Sequence, residues 1–481
     1  MPLTFYNTLT RREEEFVPLV DGKVGLYTCG PTVYAPPHIG NMRTFFFTDV
    51  LRRYLEYRGY DVRFVMNLTD VDDKTIRGAL REGVSLNDYT EPFIDNLYWN
   101  LDTLGIRRAT VHPRATHYVP QMIDIIRRLQ ERGLAYESEG SVYYDISEFP
   151  NYGALSKVDV SAGRRGERVA ADEYDKDDVR DFVLWKGVKP EDEQVGAVWD
   201  TPWGRGRPGW HIECSAMSMQ ELGETFDIHC GGVDLTFPHH EDEIAQSEGA
   251  TGKTFVRYWL HGEFLLLEGD KMAKSTGNIF NLQDLIDRGV KPSAIRYLFL
   301  TAHYRSKLNF TFEGLGAAAE AVRRVRDTRD RLRDSPAARD PDPMDTPSLH
   351  LAADESLAAF AAAMDQDLNS SVALAALHEL VGRVNARLHD LAGRPIGQAE
   401  QAAALRAFER IDEVFGFVML ADRENVVDDD LAGWVEERIA ARQAARKARD
   451  FAQADAIRDE IAARGVVIED TAQGPRWKLG A

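Results

Sequence analysis

Cysteine is almost missing from this chain: Cys29, Cys214 and Cys230 are the only three in 481 residues. So sparse and odd a set argues against a disulfide framework and leaves metal ligation, catalysis or plain burial as its uses. Long apolar runs are missing too. No stretch reaches the roughly 18 apolar residues of a membrane span, and Met1 to Asp21 carries Arg11, Arg12 and three glutamates where an export signal needs an apolar core. These absences predict a cytoplasmic protein with no membrane partner. Basic charge is short as well, with 58 Lys and Arg against 78 Asp and Glu and a formal net charge of -20. That excludes blanket binding to a phosphate backbone while leaving room for a local basic face. Apolar material is plentiful at 44% of residues, in a chain too long for one core, so two to four domains are expected.

The first hundred residues alternate between strand and helix patterns. An apolar run from Val24 to Cys29 leads into a Gly/Pro loop, then a helical stretch with Val50, Leu51, Tyr54 and Leu55, a stop at Gly59, and a β-rich run from Val62 to Leu68. Strand, loop, helix, strand is a βαβ unit and the start of a doubly wound parallel sheet. In such sheets ligands sit beyond the carboxyl ends of the strands, where Cys29 to Asn41 and Thr69 to Lys74 both fall. Residues from about 121 to 199 interrupt the pattern with a helix (Gln121 to Arg132), a sheet segment near Ser141 to Asp145 and a charged stretch near Arg164 to Asp181. They read as an insertion. The α/β pattern resumes near Pro208 and runs through Trp259 to Leu267, followed by a predicted helix from Asp284 to Leu300. From Glu313 the chain is helical and alanine-rich. Ser335 to Pro347 reads as an exposed linker, and Ser371 to Leu391 as a helix capped by Asn369. The final residues predict helices Leu431 to Ala448 and Phe451 to Arg464, a stop at Gly465 and a strand Val466 to Ile468. There is no internal repeat.

Two motifs point to nucleotide chemistry. Pro36-Pro37-His38-Ile39-Gly40-Asn41 stands where the first loop opens a helix, a place whose backbone N-H groups favour phosphate. His38 and Asn41 add side-chain donors, and Gly40 allows close approach of a ligand. Far downstream, Lys271-Met272-Ala273-Lys274-Ser275 puts two lysines on a glycine-flanked loop, suited to charge growing on a departing pyrophosphate. Either alone is weak evidence, because polar helix starts and solvated lysine pairs are common.

A third constellation points to metal. In Pro238-His239-His240-Glu241-Asp242-Glu243, at a predicted helix start, His239 and Glu243 are four apart and share a face. His240 has Ile244 at that spacing and cannot form the same pair. Cys29 and Cys214, the latter in Trp210-His211-Ile212-Glu213-Cys214, would complete two thiolates, one imidazole and one carboxylate, a donor set suited to zinc.

In this order, around a split α/β domain, the two nucleotide motifs resemble the HIGH and KMSKS signatures of class I aminoacyl-tRNA synthetases, with Asn41 and Ala273 as departures. The whole chain resembles the cysteinyl-tRNA synthetases, including Tyr27-Thr28-Cys29-Gly30-Pro31-Thr32-Val33-Tyr34 and Asn67-Leu68-Thr69-Asp70-Val71-Asp72-Asp73-Lys74. The resemblance implies a Rossmann-like parallel sheet split by an insertion, then a helical domain and a small C-terminal α+β module. It implies a catalytic domain in two halves (1-120 and 200-268) around a connective insertion (121-199). A KMSKS loop and stem-contact region (269-312), a helical bundle (313-425) and an anticodon-binding module (426-481) follow. The implied activity is ATP-dependent activation of L-cysteine and its transfer to tRNA(Cys) by a monomer. Zinc would be held by Cys29, Cys214, His239 and Glu243, and Mg2+ would accompany ATP. His38, Asn41, Lys271 and Lys274 would act on the phosphates, Gly40 and Asp234 would bind ATP, and Thr69, Trp210 and His229 would contact cysteine. Arg446, Asp455 and Asp470 would meet anticodon bases, with Trp477 nearby. Cys230 stands where the family usually has glycine and is the rival zinc ligand.

Zinc answers a physical need. A pocket relying on size separates near-isosteres such as cysteine and serine by only about a hundredfold. An insertion of about eighty residues is small for a hydrolytic editing domain, so selection falls on the first step. In the C-terminal module, Arg438, Arg442 and Arg446 recur every four residues and predict a basic stripe for RNA. The closest rival function, a cysteine ligase of mycothiol biosynthesis, shares the zinc and ATP core but lacks such a module.

Overall fold

A computed structural model describes residues 2–158, 168–169, 180–271, 279–339, 349–425, 429–464, 466–471 and 474–479. Two short strands, β1 (Thr4–Asn7) and β2 (Arg12–Glu15), pair antiparallel ahead of the first apolar run. The sequence reading missed them because β2 is Arg-Glu-Glu-Glu, with no apolar alternation to mark it. The expected βαβ unit follows as β3 (Lys23–Thr28), α1 (Ile39–Tyr57) and β4 (Asp61–Met66), with β3 and β4 parallel. Helices α2 (Asp73–Glu82) and α3 (Leu86–Thr103) come next.

The interruption is a separate, mainly antiparallel sheet. After α4 (Val119–Glu131) come β5 (Ala135–Ser138), β6 (Ser141–Tyr144), β7 (Arg168–Val169), β8 (Asp181–Gly187), the short α5 (Pro190–Val195), β9 (Trp199–Thr201) and β10 (Gly204–Pro208). Their order is β5-β6-β8-β10-β9, with β7 beside β8. This sheet therefore runs to Pro208, past the residue 199 expected from sequence. Most of the charged stretch from Arg164 lies outside the described residues.

The parallel sheet resumes with α6 (Trp210–Leu222), β11 (Phe226–Gly232), α7 (His239–Thr251) and β12 (Val256–Gly262), in the order β12-β11-β3-β4. The chain winds outward in opposite directions from the β3/β11 pair, which makes that pair the topological switch point where ligands of such sheets collect.

Beyond it, β13 (Leu265–Leu267), β14 (Asp270–Lys271), α8 (Leu282–Ile286), α9 (Pro292–Leu300) and β15 (Leu308–Phe310) form a small sheet with two helices. The single helix expected over Asp284 to Leu300 is thus two. Gly289 takes φ 80°, and Pro292 at the first turn of α9 lacks the N-H a continuous helix needs. Helices α10 (Phe312–Arg333), α11 (Leu349–Asp365), α12 (Ser370–Leu391), α13 (Gln398–Phe415) and α14 (Phe417–Glu424) follow, with β16 (Ala337–Ala338) pairing β17 (Ile396–Gly397). Asn369 caps α12 by accepting from Val372 N, as its position before the apolar repeat predicts. Much of the predicted linker to Pro347 lies outside the described residues.

The chain divides into two compact units, Met1–Val418 and Met419–Ala481. In the second, α15 (Asp429–Lys447), α16 (Phe451–Ala463) and the hairpin of β18 (Val466–Thr471) and β19 (Gly474–Leu479) enclose Val435, Ile439, Ile457, Ile461 and Val466. Gly465 lies outside the described residues. The basic stripe is corrected here: Arg442 is buried, and Arg438 lies over the Trp434 ring with its Nε 3.5 Å from Glu460. Arg442 continues the inward row of Leu431, Val435 and Ile439, so these charges serve packing, and of the three only Arg446 is exposed. No described helix in the chain is long and apolar enough to cross a membrane.

His112 ties the first half of the sheet together, accepting from Ala109 N at Nε2 (3.1 Å) and meeting the Met66 carbonyl through Nδ1 (3.1 Å). Burial holds its pKa down at about 4, against the hydrogen bond to Met66 and with help from Arg108. The unfolded chain takes up this proton near pH 6.5, so the contribution to stability is complete above that pH and is lost as pH falls toward 4. His112→Gln should flatten the acid side of the stability profile relative to the parent, read as denaturation midpoints between about pH 4 and 7.

Candidate active site and metal centre

Strand alternation decides which side chains face the switch point. Residues two apart on a strand share a face, so Tyr27 and Cys29 point the same way. Register pairs His229 with Tyr27 and Cys230 with Thr28. His229 therefore joins Tyr27, with ring centroids 5.0 Å apart, while Cys230 faces the other side of the sheet. Cys230 is fully buried and belongs to neither metal-capable cluster among the described residues, which removes it as the rival ligand.

Cys29 follows β3, Cys214 lies in α6, and His239 and Glu243 form the first turns of α7. One ligand atom from each lies within 4.8 Å of all the others. The two sulfurs are 3.8 Å apart, Cys29 Sγ is 3.5 Å from Glu243 Oε1, and His239 Nε2 is 3.1 Å from the same oxygen. All four are buried. His240 lacks the pairing that joins His239 to Glu243, as its Ile244 neighbour implies, yet it is close by. It reaches the cluster without the four-residue spacing, its Nε2 lying 3.3 Å from Cys29 Sγ and 4.0 Å from Glu243 Oε1. A second metal-capable group, Cys29, His229, His240 and Glu243, shares two members with the first. Helical spacing alone could not foresee this, because the approach is made by Cys29 from another element.

The electrostatics favour a cation. Burial alone would raise the Glu243 carboxyl, but His229 and His239 overrule it and hold it at about 2. Burial alone would raise the Cys214 thiol, but the Cys29 hydrogen bond and His239 bring it to about 6. Cys29 is pushed up by burial and by Cys214. Burial would lower His239, yet Cys214 and Glu243 drive it up to about 10. Buried anions gathered this closely, with sulfur among them, fit a soft divalent ion such as zinc.

Neighbouring groups fix the donors. His229 Nε2 lies 2.9 Å from Glu243 Oε2, His211 Nδ1 lies 2.9 Å from His239 Nδ1, and Trp210 stacks on His239 at 4.2 Å. Trp210 and His229, expected to contact cysteine, are thus in the same neighbourhood. The insertion also grips the ligand helix: Glu241 accepts from Gly153 N (2.8 Å), Leu155 N (3.1 Å) and Ser156 N (2.7 Å), and Tyr152 donates to Asp242. Sequence reasoning missed Glu241 and Asp242. Their only signal was an acidic run in a segment otherwise flanked by buried strands.

The first nucleotide signature meets the residues that follow the second. His38 caps α1: its Nδ1 accepts from Asn41 N at 3.2 Å, and Asn41 Oδ1 accepts from His38 N at 3.1 Å. The His38 proton is therefore fixed on Nε2, and Asn41 keeps its NH2 as the donating end. The helix N-terminus offers fewer backbone donors than expected, since Ile39 N donates to Phe280 O (2.9 Å) and Asn41 N to His38. That contact, with the bridge between His38 and Asn281, brings the exit of the lysine loop against the first signature. Lys274 and Ala273 lie outside the described residues, and of Lys271 only the backbone, in β14, is described. Arg43, one turn into α1, donates to the carbonyls of Glu263 (2.7 Å), Phe264 (2.8 Å) and Ser306 (2.6 Å), pinning the helix to the segments flanking that loop. Gly40 opens α1, and Asp234 is exposed on the turn after β11, its Oδ1 crowding the place where a Cβ on Gly232 would stand. Thr69 is buried beyond the end of β4. In the C-terminal unit Arg446 and Asp455 are exposed, Trp477 packs against the small core, and the Asp470 side chain lies outside what is described.

Comparison with known proteins agrees with this geometry. The solved methionyl-tRNA synthetase of Mycobacterium tuberculosis in complex with methionyl-adenylate superposes with a TM-score of 0.58 at 14% identity, covering 82% of this chain and 90% of that one. A leucyl enzyme, the Agrobacterium radiobacter K84 agnB2 LeuRS in a ternary complex, gives a TM-score of 0.59 at 12% identity, covering 84% and 85%. The fold is that of the class I aminoacyl-tRNA synthetases. Residues 15–320 match the family described as tRNA synthetases class I (C) catalytic domain, 359–419 the DALR domain, and 428–477 the cysteinyl-tRNA ligase anticodon binding domain. The cysteine-tRNA ligase of Chlamydia muridarum (strain MoPn / Nigg) is 46% identical over 99% of this chain and 100% of its own length. That of Brachyspira hyodysenteriae (strain ATCC 49526 / WA1) is 45% identical over 99% of both. The chain belongs to the cysteine-tRNA ligase family, and it is a ligase that joins cysteine to tRNA.

Proposed function

We propose that Cys29, Cys214, His239 and Glu243 hold one zinc ion, and that the enzyme selects cysteine by its thiolate during ATP-dependent formation of cysteinyl-adenylate. The observation carrying this reading is the convergence of the four ligand atoms within 4.8 Å at the switch point of the sheet. Zinc supplies a soft Lewis acid with affinity for sulfur that a neutral hydroxyl cannot match. Four protein ligands ordinarily close a zinc site, so cysteine would need a fifth position or a loosened ligand. The chain's own residues do the rest. Trp210, Thr69 and His229 line the amino acid, and His38 through Nε2-H and Asn41 through its NH2 stabilise the ATP phosphates. Lys271 and Lys274 offset charge on the departing pyrophosphate, with Mg2+ accompanying ATP, while Gly40 and Asp234 receive the nucleotide. A terminal tRNA hydroxyl then attacks the adenylate carbonyl, forming the ester as the mixed-anhydride bond breaks and AMP leaves. Arg446, Asp455 and Asp470 are proposed to meet the anticodon of tRNA(Cys).

Discrimination against serine is the test. Reaching about ten-thousandfold requires about 5.5 kcal/mol, beyond what size alone provides. Purified enzyme is expected to carry one zinc per chain. Chelation should suppress cysteine-dependent ATP-pyrophosphate exchange, and zinc should restore it along with the preference over serine. Unchanged discrimination in metal-free enzyme would refute the reading.

A further inference from the structure

Beyond the end of β4, the chain turns back against the loop that follows Cys29, and one buried amide sits between them. Asn67, 1% exposed, accepts from Gly30 N at 2.7 Å through Oδ1 and donates from Nδ2 to Thr69 Oγ1 at 3.1 Å. The backbones interlock at the same place, with Thr69 N donating to Pro31 O (3.2 Å) and Val33 N to Thr69 O (3.0 Å).

The orientation of the amide follows from chemistry. A backbone N-H only donates, so the amide oxygen faces Gly30 and the NH2 faces Thr69. An NH2 also only donates, so Thr69 Oγ1 is an acceptor in this bond and its own hydrogen turns elsewhere. Among the described residues no acceptor takes that hydrogen, although Thr69 is 1% exposed. A buried hydroxyl with a fixed acceptor side is a donor aimed away from the amide.

Resting on the reading of Thr69 as a cysteine contact, we infer that Asn67 is a positioning residue that presents the Thr69 hydroxyl to the substrate as a donor. The group it meets is an anionic acceptor of the amino acid. No sequence motif announces this role, because it depends on Gly30 arriving from 37 residues away.

The experiment is a double-mutant cycle read by cysteine-dependent ATP-pyrophosphate exchange. Asn67→Asp keeps an oxygen for Gly30 N but replaces the NH2 by an acceptor, which draws the Thr69 hydrogen back from the substrate. KM for cysteine should rise about ten- to a hundredfold, the loss of one charge-assisted hydrogen bond, while KM for ATP stays within about twofold. Thr69→Val should raise KM for cysteine similarly, and Thr69→Ser should restore it. In the Thr69→Val background, Asn67→Asp should add less than about twofold, because its only route to the substrate is gone. If its full effect persists there, the introduced charge acts directly and the inference is overturned. If Thr69→Val leaves KM for cysteine unchanged, the prior reading of Thr69 fails, and the inference with it. Should Asn67→Asp melt far below the parent, Asn67→Ala in both Thr69 backgrounds reads the same coupling.

Discussion

Cys214→Ser is expected to leave the enzyme folded and still able to bind ATP, but without stoichiometric zinc and nearly without cysteine activation. The thiol it removes is fully buried, 3.8 Å from Cys29 Sγ, and held at about 6 by Cys29 and His239 against its burial. Serine keeps the size and loses the readily ionised soft donor, so the loss is one of metal affinity more than of packing. The expected fall in kcat/KM for cysteine is about a thousandfold or more, with KM for ATP changed less than about threefold. Metal content measured on the same preparation separates causes: loss of exchange with full zinc occupancy would mean that Cys214 acts otherwise than as a ligand. The second cluster sharpens the test. If His229 and His240 supplied the true set with Cys29 and Glu243, the Cys214→Ser enzyme would retain its zinc and His240→Ala would lose it.

Gly30→Ala should be nearly as damaging for a reason unrelated to metal chemistry. A Cβ on residue 30 would lie 1.7 Å from the Asn67 carbonyl oxygen, a backbone atom that cannot swing aside. The loops after β3 and β4 would have to part by more than an ångström, carrying Cys29 away from Cys214 and Thr69 away from both. Displacements of that size at a reacting centre cost about a hundredfold in rate, and forcing apart a close-packed contact costs about 1–3 kcal/mol of stability. Exchange kinetics, zinc occupancy and a melting curve together test this. A variant with normal zinc, normal KM for cysteine and unchanged melting temperature would show that the loops accommodate the methyl group elsewhere.

How far the site could be read beforehand varied residue by residue. His239 and Glu243 were legible as a pair because helical periodicity puts residues four apart on one face, and α7 forms there. His240 was set aside by the same rule, yet it approaches Cys29 across a gap that no local spacing describes. Cys230 looked like a rival ligand in one dimension, and the register of β11 against β3 turns it to the opposite face. The four-residue spacing of the α15 arginines is plain in the sequence, but it does not make a basic face, because which of them is buried depends on the elements packed against the helix. The helix from Asp284 was overextended because the reading passed over a Gly and a Pro that the backbone uses to break it.

What the linear order determined was local: the βαβ start, the cap of α12, the division into a split sheet, helices and a small module, and the types of donor available to a metal. These follow from periodicities of two and 3.6 residues and from residue chemistry, which need no knowledge of distant neighbours. What only the tertiary structure decided was convergence. The meeting of Cys29 with Cys214, of His38 with Asn281, of Gly30 with Asn67, and of Glu241 with the loop at Gly153 to Ser156 joins segments between 37 and 243 residues apart. Such meetings are set by how sheets and helices pack as whole objects, and that packing energy is summed over many side chains that carry no motif.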